Sequence, residues 1–323
     1  MKLILAIDGG GTRTRCRLID GAGKTLGTGS GGPSNHLLVD RETVRRSLID
    51  ATAFALAGAG KQSEQITIVS AGLAGVDYDG AGAGEIKELL GEIGFEETLI
   101  EGDMVIAHAG ALGGEPGVLA LAGTGSSVLG VGQNGRRLKV GGWGPVFGDE
   151  GSAYRIGQAG LRAAARDFDG RGPTTALTPA IVEDLGLKDF GETIEAVYLG
   201  DMQPRQIALL SELVDRSARA GDKVALGILE SAGRELAECA AAAIKRLGLS
   251  DRHVEVSFQG SVMTASEVVR ENFSRALSAE FTGVRIMAPR FSPVVGAYLL
   301  GRAAIGLPNR EEVFAALSER VTI

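Results

Sequence analysis

Residues 3–17 read LILAIDGGGTRTRCR, and this stretch decides the fold. The apolar run predicts a buried strand over 3–7, and the alternating residues from Thr14 onward predict a second strand. The glycines between them let the backbone approach a ligand closely, and the N–H groups of such a turn can bind a phosphate. We therefore interpret the turn as a phosphate site, whose candidate ligands are Gly10, Gly11, Thr12 and Arg13.

The same turn differs from a dinucleotide-binding fingerprint. A GxGxxG motif would end in glycine at position 14, where Thr14 stands, and would open a helix rather than a strand. Asp8 closes the first strand, where its carboxylate is placed to hold Mg²⁺ through water. An ordinary glycine-rich hairpin remains the alternative for this turn taken alone.

A second stretch, VLALAGTGSSVLG over 118–130, repeats the pattern of strand, glycine turn and strand. Its candidate phosphate ligands are Thr124, Gly125 and Ser126. The separation between the two copies is too long for a solenoid repeat and is typical of a duplicated α/β domain. Two such turns predict a nucleotide bound between two related domains.

Further periodicity predicts the remaining elements. Strands are expected at 14–19, 25–30, 65–71, 97–102, 118–122, 127–131, 137–140 and 253–259. Helices are expected at 40–57, 84–90, 152–167, 175–185, 190–199, 203–220, 222–247, 265–277, 293–305 and 309–321.

Composition limits the class of protein. The chain has 323 residues, of which 44% are hydrophobic, enough for two domains with their own cores. A formal net charge of -7 argues against binding nucleic acid through a basic surface. Two distant cysteines, Cys16 and Cys239, have neither metal-site nor disulfide spacing, which favours a reducing cytoplasm. We expect no signal peptide and no membrane span, because the apolar runs are too short.

Three polar segments are candidates for chemistry. Asp103 follows a strand and is either a general base or a helix N-cap, roles that are compatible. The glycine-rich loop over 141–152 carries Trp143, Gly144 and Asp149, which suit a polyol but also suit a capped helix start. The loop SGGPSNH over 30–36 offers Asn35 to a hydroxyl, or simply connects a strand to a helix.

Together these segments resemble one known family. The chain is similar to the N-acetylglucosamine kinase and BadF/BadG/BcrA/BcrD-type ATPase family, within the superfamily of actin, hexokinase and Hsp70. The matching motifs are IDGGGTRT (7–14), GGPSNH (31–36), SAGLAGVD (70–77), EGD (101–103), LAGTGSS (121–127), GGWGPVFGDEGSAY (141–154), QGSV (259–262) and SPVVGAYLLG (292–301). They follow the family's order and span nearly the whole chain.

The resemblance implies an α/β fold of two RNase H-like domains, each a mixed β-sheet flanked by helices, with a cleft between them. The expected domains are 1–107 plus 307–323, and 108–306 with helical insertions. ATP and Mg²⁺ are the implied cofactors, with adenosine near Gly260 and Ser261. The implied sugar ligands are Ser34, Asn35, His36, Asp103, Trp143, Gly144 and Asp149, and Asp103 would take the proton from the reacting hydroxyl. A homodimer is expected by resemblance only.

The function implied is an ATP-dependent kinase for the 6-hydroxyl of a hexose or amino sugar, with N-acetylglucosamine the preferred substrate. Glucose, glucosamine and N-acetylmuramate stay open, as does a broad-specificity hexokinase. An activator ATPase of a CoA-ester reductase or dehydratase is a weaker alternative, because such activators need cysteine pairs for an iron–sulfur cluster. A non-catalytic sugar sensor is a third alternative.

Overall fold

A computed structural model describes residues 1–200, 202–250 and 253–318. The strands are β1 Leu3–Gly9, β2 Thr14–Asp20, β3 Thr25–Gly31, β4 Ile68–Leu73, β5 Thr98–Gly102, β6 Gly117–Ala122, β7 Ser126–Val131, β8 Arg137–Gly141, β9 Val254–Gln259 and β10 Val284–Met287. The helices are α1 Arg41–Ala59, α2 Ala83–Glu92, α3 Asp103–Leu112, α4 Ala153–Phe168, α5 Leu177–Asp184, α6 Pro204–Arg219, α7 Lys223–Arg246, α8 Ser261–Ala265, α9 Glu267–Glu280, α10 Pro293–Ala304 and α11 Glu311–Ser318.

The chain forms two compact units. One comprises Met1–Pro116 and Ala288–Ile323, and the other comprises Gly117–Met287. The sequence placed these boundaries at 107/108 and 306/307, so that α10 would belong to the second unit. In the structure α10 packs on α3 and on β1 and β4, and its Gly296 lies so close to the Ile106 carbonyl that no Cβ would fit. This contact joins α10 to the first unit.

The first unit has a five-stranded sheet in the order β3-β2-β1-β4-β5. The first three strands are antiparallel, whereas β4 and β5 run parallel to β1. Leu5 and Ile7 pack under α1, while Ile4 and Ala6 on the other face pack against the α10 side chains. Because β1, β4 and β5 are parallel, their carboxyl ends meet at one edge of the sheet.

The second unit repeats this topology with the order β10-β9-β6-β7-β8. Strands β6, β7 and β8 form the antiparallel part, and β9 runs parallel to β6. The sheet shares its core with α7, whose buried face includes Leu229, Leu236 and Ile244. The repeated strand order confirms the duplication predicted from the two glycine turns.

Several elements differ from the sequence predictions. The helix expected at 190–199 is instead a 3-10 turn at Phe190–Glu192 followed by a π-helical turn at Glu195–Leu199. The helix expected at 265–277 corresponds to α9, and the short helix α8, which was not predicted, precedes it. Strand β10 was not predicted, because it is four residues long and only half-buried. The last expected helix, 309–321, extends past the described residues.

Helix α3 was also missed, for a physical reason. From Val105 to Leu112 every residue is buried, so the segment lacks the polar face that gives a surface helix its periodicity. Gly110 packs against the carbonyl of Ser292 without room for a side chain.

Within the parts of the chain that the structure describes, no helix combines the length and apolarity that a bilayer span requires.

Asp222 connects two helices of the second unit and provides a test of stability. Its carboxylate caps α7 by accepting from the N–H groups of Val224 and Ala225 at 2.9 and 2.8 Å. It also accepts from the Thr175 hydroxyl at 2.9 Å and the Ala176 N–H at 2.6 Å. Since N-cap removal costs about 0.5–2 kcal/mol, we expect Asp222→Ala to lower the free energy of unfolding by about 2 kcal/mol or more.

We expect the loss of stability in Asp222→Ala to depend on pH. Burial raises the pKa of Asp222, but the hydrogen bonds from Ala225, Ala176 and Thr175 outweigh burial and hold the pKa below its ordinary 3.8. The stabilisation is therefore complete above that ordinary value and lost as pH falls through the lower folded-state pKa. Urea titrations of both proteins should show their stability gap narrowing in that acid range; a gap independent of pH would contradict this assignment.

Candidate functional site

The first glycine turn closes on itself and leaves donors exposed. The Gly10 N–H donates to the Arg13 carbonyl at 3.0 Å, while Gly11, Thr12 and Arg13 are exposed. Among the described residues, no acceptor bonds the N–H of Gly11 or Thr12. These two groups are therefore free to donate to an anion, as the sequence predicted for a phosphate site.

A buried serine supports this turn from behind. Ser34 is fully buried; its N–H donates to the Gly10 carbonyl at 2.9 Å and its hydroxyl hydrogen-bonds with that of Thr14 at 2.8 Å. Gly9 packs so closely on the Ser34 hydroxyl that a side chain there would clash. These contacts suit a residue that positions the turn.

Two carboxylates approach each other at the strand ends of the first unit. Asp8 lies at the carboxyl end of β1 with its side chain 16% exposed, 3.4 Å from Arg15 Nη1. Burial raises the pKa of Asp8; the Arg15 guanidinium opposes this increase and the Asp103 carboxylate adds to it. Two oxygen ligands within electrostatic reach suit a hard cation such as Mg²⁺, so the residues present fit the predicted metal.

Asp103 is the first residue of α3 and is exposed. Its Oδ1 accepts from the Met104 N–H at 2.8 Å, so the carboxylate is anchored at the helix start. The preceding Gly102 packs tightly on the backbone of the β4–α2 loop, where an added Cβ would lie 2.6 Å from the Val76 carbonyl. Asp103 thus projects from a fixed junction of strand and helix.

The β4–α2 loop also lies at the edge of the sheet where the carboxyl ends of β1, β4 and β5 meet. The sequence predicted no role for this loop. Its Gly75, at φ +99°, packs on Asn35 Oδ1 and on the His36 ring. Asn35 Oδ1 accepts from the Leu37 N–H at 3.0 Å, and His36 Nδ1 is buried without a hydrogen-bond partner among the described residues. The SAGLAGVD motif over 70–77 was the available signal, since it places a glycine-rich loop after a strand parallel to β1.

The second glycine turn repeats the first. The Gly123 N–H donates to the Gly125 carbonyl at 2.9 Å, and Thr124 and Gly125 are exposed. Helix α4 holds this turn, because the Ala153 and Tyr154 N–H groups donate to the Gly123 and Thr124 carbonyls at 2.8 and 3.2 Å. No described acceptor bonds the N–H of Thr124 or Gly125.

Ser126 and Asp149 bind each other at the base of this turn. Ser126 is buried; its hydroxyl donates to the Glu150 carbonyl at 2.7 Å and its N–H donates to Asp149 Oδ1 at 3.3 Å. Asp149 is also buried and has a left-handed backbone, φ 60°. Its carboxylate additionally lies against Gly125, so the loop over 141–152 is connected directly to the turn.

Gly260 and Ser261 join the same edge of the second unit. Gly260 follows β9 with φ 100° and packs directly on the Ala122 backbone. A Cβ built on Gly123 would lie 3.9 Å from the Ser261 hydroxyl oxygen. The structure therefore brings the predicted adenosine residues next to the predicted phosphate turn.

Trp143 is presented to solvent by a glycine-rich turn. It is 68% exposed, and its ring centroid lies 6.3 Å from that of Phe147, which is 69% exposed. The turn is closed by the Gly148 N–H, which donates to the Gly144 carbonyl at 2.9 Å. An exposed aromatic pair of this kind offers an apolar face to a ligand.

The two cysteines do not form a pair. Cys16 is buried in β2 of the first unit, and Cys239 is half-buried in α7 of the second. Burial raises the pKa of both thiols, that of Cys239 to about 11 with help from Glu150. Neither environment favours the thiolate that ligates an iron–sulfur cluster.

Comparison with known proteins agrees with the sequence resemblance. The family model described as the BadF/BadG/BcrA/BcrD ATPase family matches residues 5–301. The chain is 30% identical over 304 residues to the N-acetylmuramic acid/N-acetylglucosamine kinase of Clostridium acetobutylicum, covering 94% of this chain and 99% of that one. It is 28% identical to the N-acetyl-D-glucosamine kinase of Dictyostelium discoideum, covering 93% and 97%.

A solved structure shares the architecture. A Chromobacterium violaceum protein provisionally assigned as an N-acetylglucosamine kinase superposes with a TM-score of 0.72 at 27% identity. The superposition covers 93% of this chain and 98% of that one. The similarity therefore extends over both units.

Proposed function

Because the chain belongs to the BadF/BadG/BcrA/BcrD ATPase family, we propose that it is an ATP-dependent kinase acting on the 6-hydroxyl of an amino sugar. The two sheets of identical strand order confirm the predicted fold class of two RNase H-like domains. The observation that carries the proposal is the similarity over almost the full length to kinases named for N-acetylglucosamine. We therefore propose N-acetylglucosamine as the preferred substrate.

Both glycine turns contribute to ATP binding in this proposal. The exposed N–H groups of Gly11, Thr12, Thr124 and Gly125 supply hydrogen bonds to phosphate oxygens, and Arg13 supplies charge. Gly260 and Ser261, next to the second turn, contact the adenosine. Phosphoryl transfer depends mainly on positioning and charge stabilisation, which such donors provide.

Asp8 is the residue that would hold Mg²⁺, through water. When bound, the ion would neutralise charge on the phosphates. Arg15, 3.4 Å from the Asp8 carboxylate, opposes the increase in the pKa of Asp8 that burial causes.

Asp103 acts as the general base. Its exposed carboxylate at the start of α3 accepts the proton from the sugar hydroxyl as that oxygen attacks the terminal phosphorus of ATP. A positioned base of this kind contributes about 10²–10⁴-fold to the rate.

The sugar is bound by residues of both predicted loops. Asn35, His36, Trp143, Gly144 and Asp149 are the proposed ligands, together with Asp103. Ser34 and Ser126, which we predicted as direct ligands of sugar and ATP, are buried and bonded within their own units. We propose that they act by positioning the two glycine turns.

Glucosamine and N-acetylmuramate are the main competing substrates, because two relatives of this chain are named as kinases of these sugars. We also propose that the protein is a homodimer in a reducing cytoplasm. The unpaired state of both cysteines is compatible with that compartment.

Product analysis tests the proposal. The protein is incubated with Mg-ATP and N-acetylglucosamine, and the sugar is examined by mass spectrometry and ³¹P NMR. We expect one phosphoryl group on the 6-oxygen. Formation of ADP and free phosphate with unmodified sugar would contradict the kinase assignment.

Two substitutions of Asp149 separate sugar binding from support of the turn. Asparagine tolerates the left-handed backbone and keeps an oxygen acceptor for the Ser126 N–H. Alanine tolerates this backbone poorly and has no side-chain acceptor. A hydrogen bond to a charged group is worth about 1.5–3 kcal/mol. We therefore expect Asp149→Asn to raise the sugar KM about tenfold or more with little change in ATP KM, and Asp149→Ala to raise both.

Steady-state kinetics with each substrate varied in turn checks this expectation. A wild-type sugar KM in Asp149→Asn would remove Asp149 from the sugar ligands and leave it the role of supporting the turn.

A further inference from the structure

The sheet of the first unit carries two arginines and two hydroxyl groups on one face. Alternate residues of a strand point to the same side, so Arg15 and Arg17 of β2 share a face with Ile19, which packs with the α10 side chains. The register places Ser30 of β3 opposite Arg15 and Thr28 opposite Arg17. We call Arg15, Arg17, Thr28 and Ser30 the arginine strip.

Helices cover this part of the sheet from one side only. On the other face of β3, helix α1 packs directly on the strand backbone through three alternate glycines, Gly27, Gly29 and Gly31. On the face of the strip, Thr28 and Ser30 are exposed. Ala6 of β1, which pairs with Arg17, is buried among the α10 side chains. The cover provided by α10 therefore ends at β2, and the strip is accessible along β3.

Arg17 is a cation without a counter-ion. It is half-buried, and it forms no ion pair or hydrogen bond with any residue that the structure describes. Burial and the neighbouring Arg15 guanidinium both lower the pKa of Arg17. A charged group that loses part of its hydration normally gains an acceptor or an opposite charge. The described part of the protein supplies neither to Arg17.

Arg15 is only weakly paired. Its Nη1 lies 3.4 Å from Asp8 Oδ2, beyond the usual length of a charged hydrogen bond, and its side chain is 46% exposed. The two guanidinium groups thus have one long contact with a carboxylate between them. The strip is locally positive in a chain whose formal net charge is -7.

The dimensions of the strip suit a phosphate group. Residues two apart on a strand lie about 6.6 Å apart, and paired residues of neighbouring strands lie about 4.5–5.5 Å apart. Two guanidinium groups at this spacing can converge on one tetrahedral anion, because each has a planar fork of donors on a long stem. The side-chain hydroxyls of Thr28 and Ser30 have no hydrogen-bond partner among the described residues and add two donors.

We infer that the arginine strip is a binding site for a phosphate dianion, separate from the glycine turns. Its donors are side chains of β2 and β3, whereas those of the turns are backbone N–H groups. The ligand is either inorganic phosphate or the phosphoryl group of a sugar phosphate, and only the second source rests on the proposed kinase function. An anion bound here competes with Asp8 for Arg15, so the site connects phosphate binding to the carboxylate proposed to hold Mg²⁺.

Titration of inorganic phosphate by isothermal calorimetry tests this inference. The protein is first saturated with Mg²⁺ and the non-hydrolysable analogue AMPPNP, which occupies the proposed ATP site. We expect saturable phosphate binding to the wild type and at least tenfold weaker binding to Arg17→Gln, since a charged donor is lost. Arg46→Gln is the matched control, because Arg46 is an exposed arginine of α1 in the same unit. That variant should bind phosphate like the wild type.

The same titration with N-acetylglucosamine 6-phosphate identifies the source of the ligand. Tighter binding than that of inorganic phosphate, lost in Arg17→Gln, would assign the site to a sugar phosphate. Equal binding of the two would assign it to free phosphate. Failure of AMPPNP to bind would count against the proposed ATP site alone, because the wild type and Arg17→Gln can also be compared without the analogue.

Thermal unfolding distinguishes a ligand-binding arginine from a structural one. Because Arg17 has no partner to lose, Arg17→Gln should unfold at a temperature no lower than the wild type in the absence of phosphate. Phosphate should raise the Tm of the wild type and of Arg46→Gln but not that of Arg17→Gln. Absence of saturable binding to the wild type would overturn the inference. So would equal binding to Arg17→Gln, and a lower Tm in that variant with binding retained would make Arg17 a structural residue.

Discussion

Asp103→Asn is expected to lower kcat by at least about 10²-fold, the scale of losing a general base, while leaving the binding of ATP and sugar close to wild type. The amide has nearly the shape of the carboxylate, and its oxygen can still accept from the Met104 N–H, as Asp103 Oδ1 does at 2.8 Å. The start of α3 should therefore remain intact. What the variant loses is a group that can take the proton of the sugar hydroxyl.

The measurement combines steady-state kinetics with nucleotide and sugar binding by calorimetry. Asp50→Asn serves as the control, because Asp50 is an exposed aspartate of α1 in the same unit and should be silent. A kcat within a fewfold of wild type in Asp103→Asn would remove Asp103 from the reaction. Loss of sugar binding with no separate effect on kcat would make it a ligand only.

Gly260→Ala is expected to raise the KM for ATP at least tenfold and to lower the free energy of unfolding by about 2–4 kcal/mol. Gly260 has φ 100° and ψ 159°, a region that is essentially confined to glycine and costs other residues about 1–3 kcal/mol. A Cβ there would also meet the backbone of Ala122, at the end of β6. Either the 260–261 loop or the adjacent phosphate turn must move.

The control variant Gly248→Ala separates the effect of backbone strain from the effect of displacing a neighbouring segment. Gly248 lies in the same unit with φ +66°, and no residue that the structure describes lies within 4 Å of the position its Cβ would occupy. The Gly248→Ala variant should lose roughly 1–2 kcal/mol of stability with no change in ATP KM. An unchanged ATP KM in Gly260→Ala, measured by coupled assay, would show that the loop does not contact the nucleotide.

The sheets were predictable because their signals are local. Alternation and β-branched residues bounded by glycine marked β1, β2 and β3, which appear within two residues of the expected ends. The repeat was visible because both copies place a glycine turn after a short apolar strand. The shared strand order shows that this duplication extends to the whole sheet.

What the sequence did not predict depends on contacts between distant segments. Helix α10 belongs to the first unit because it approaches α3 closely at Gly296. Hydrophobic periodicity in the sequence does not reveal such a contact. The burial of Ser34 and Ser126 likewise depends on partners, Thr14 and Glu150, that lie 20 and 24 positions away. A serine in a glycine-rich motif is equally suited to binding a ligand and to supporting a turn.

The β4–α2 loop illustrates the same limit at the candidate site. Its Gly75 contacts Asn35 and His36, which are distant in the chain and are brought near it by the sheet order β3-β2-β1-β4. The motif 70–77 was recognisable, but its position beside the β3–α1 loop required the fold.

Release of ADP from Mg-ATP against a panel of sugars tests the central claim most directly. The panel is N-acetylglucosamine, glucosamine, glucose, mannose, N-acetylmuramate and a blank without sugar. We predict strong stimulation by N-acetylglucosamine and little ADP in the blank. Slow ATP hydrolysis that no sugar changes would contradict the kinase assignment.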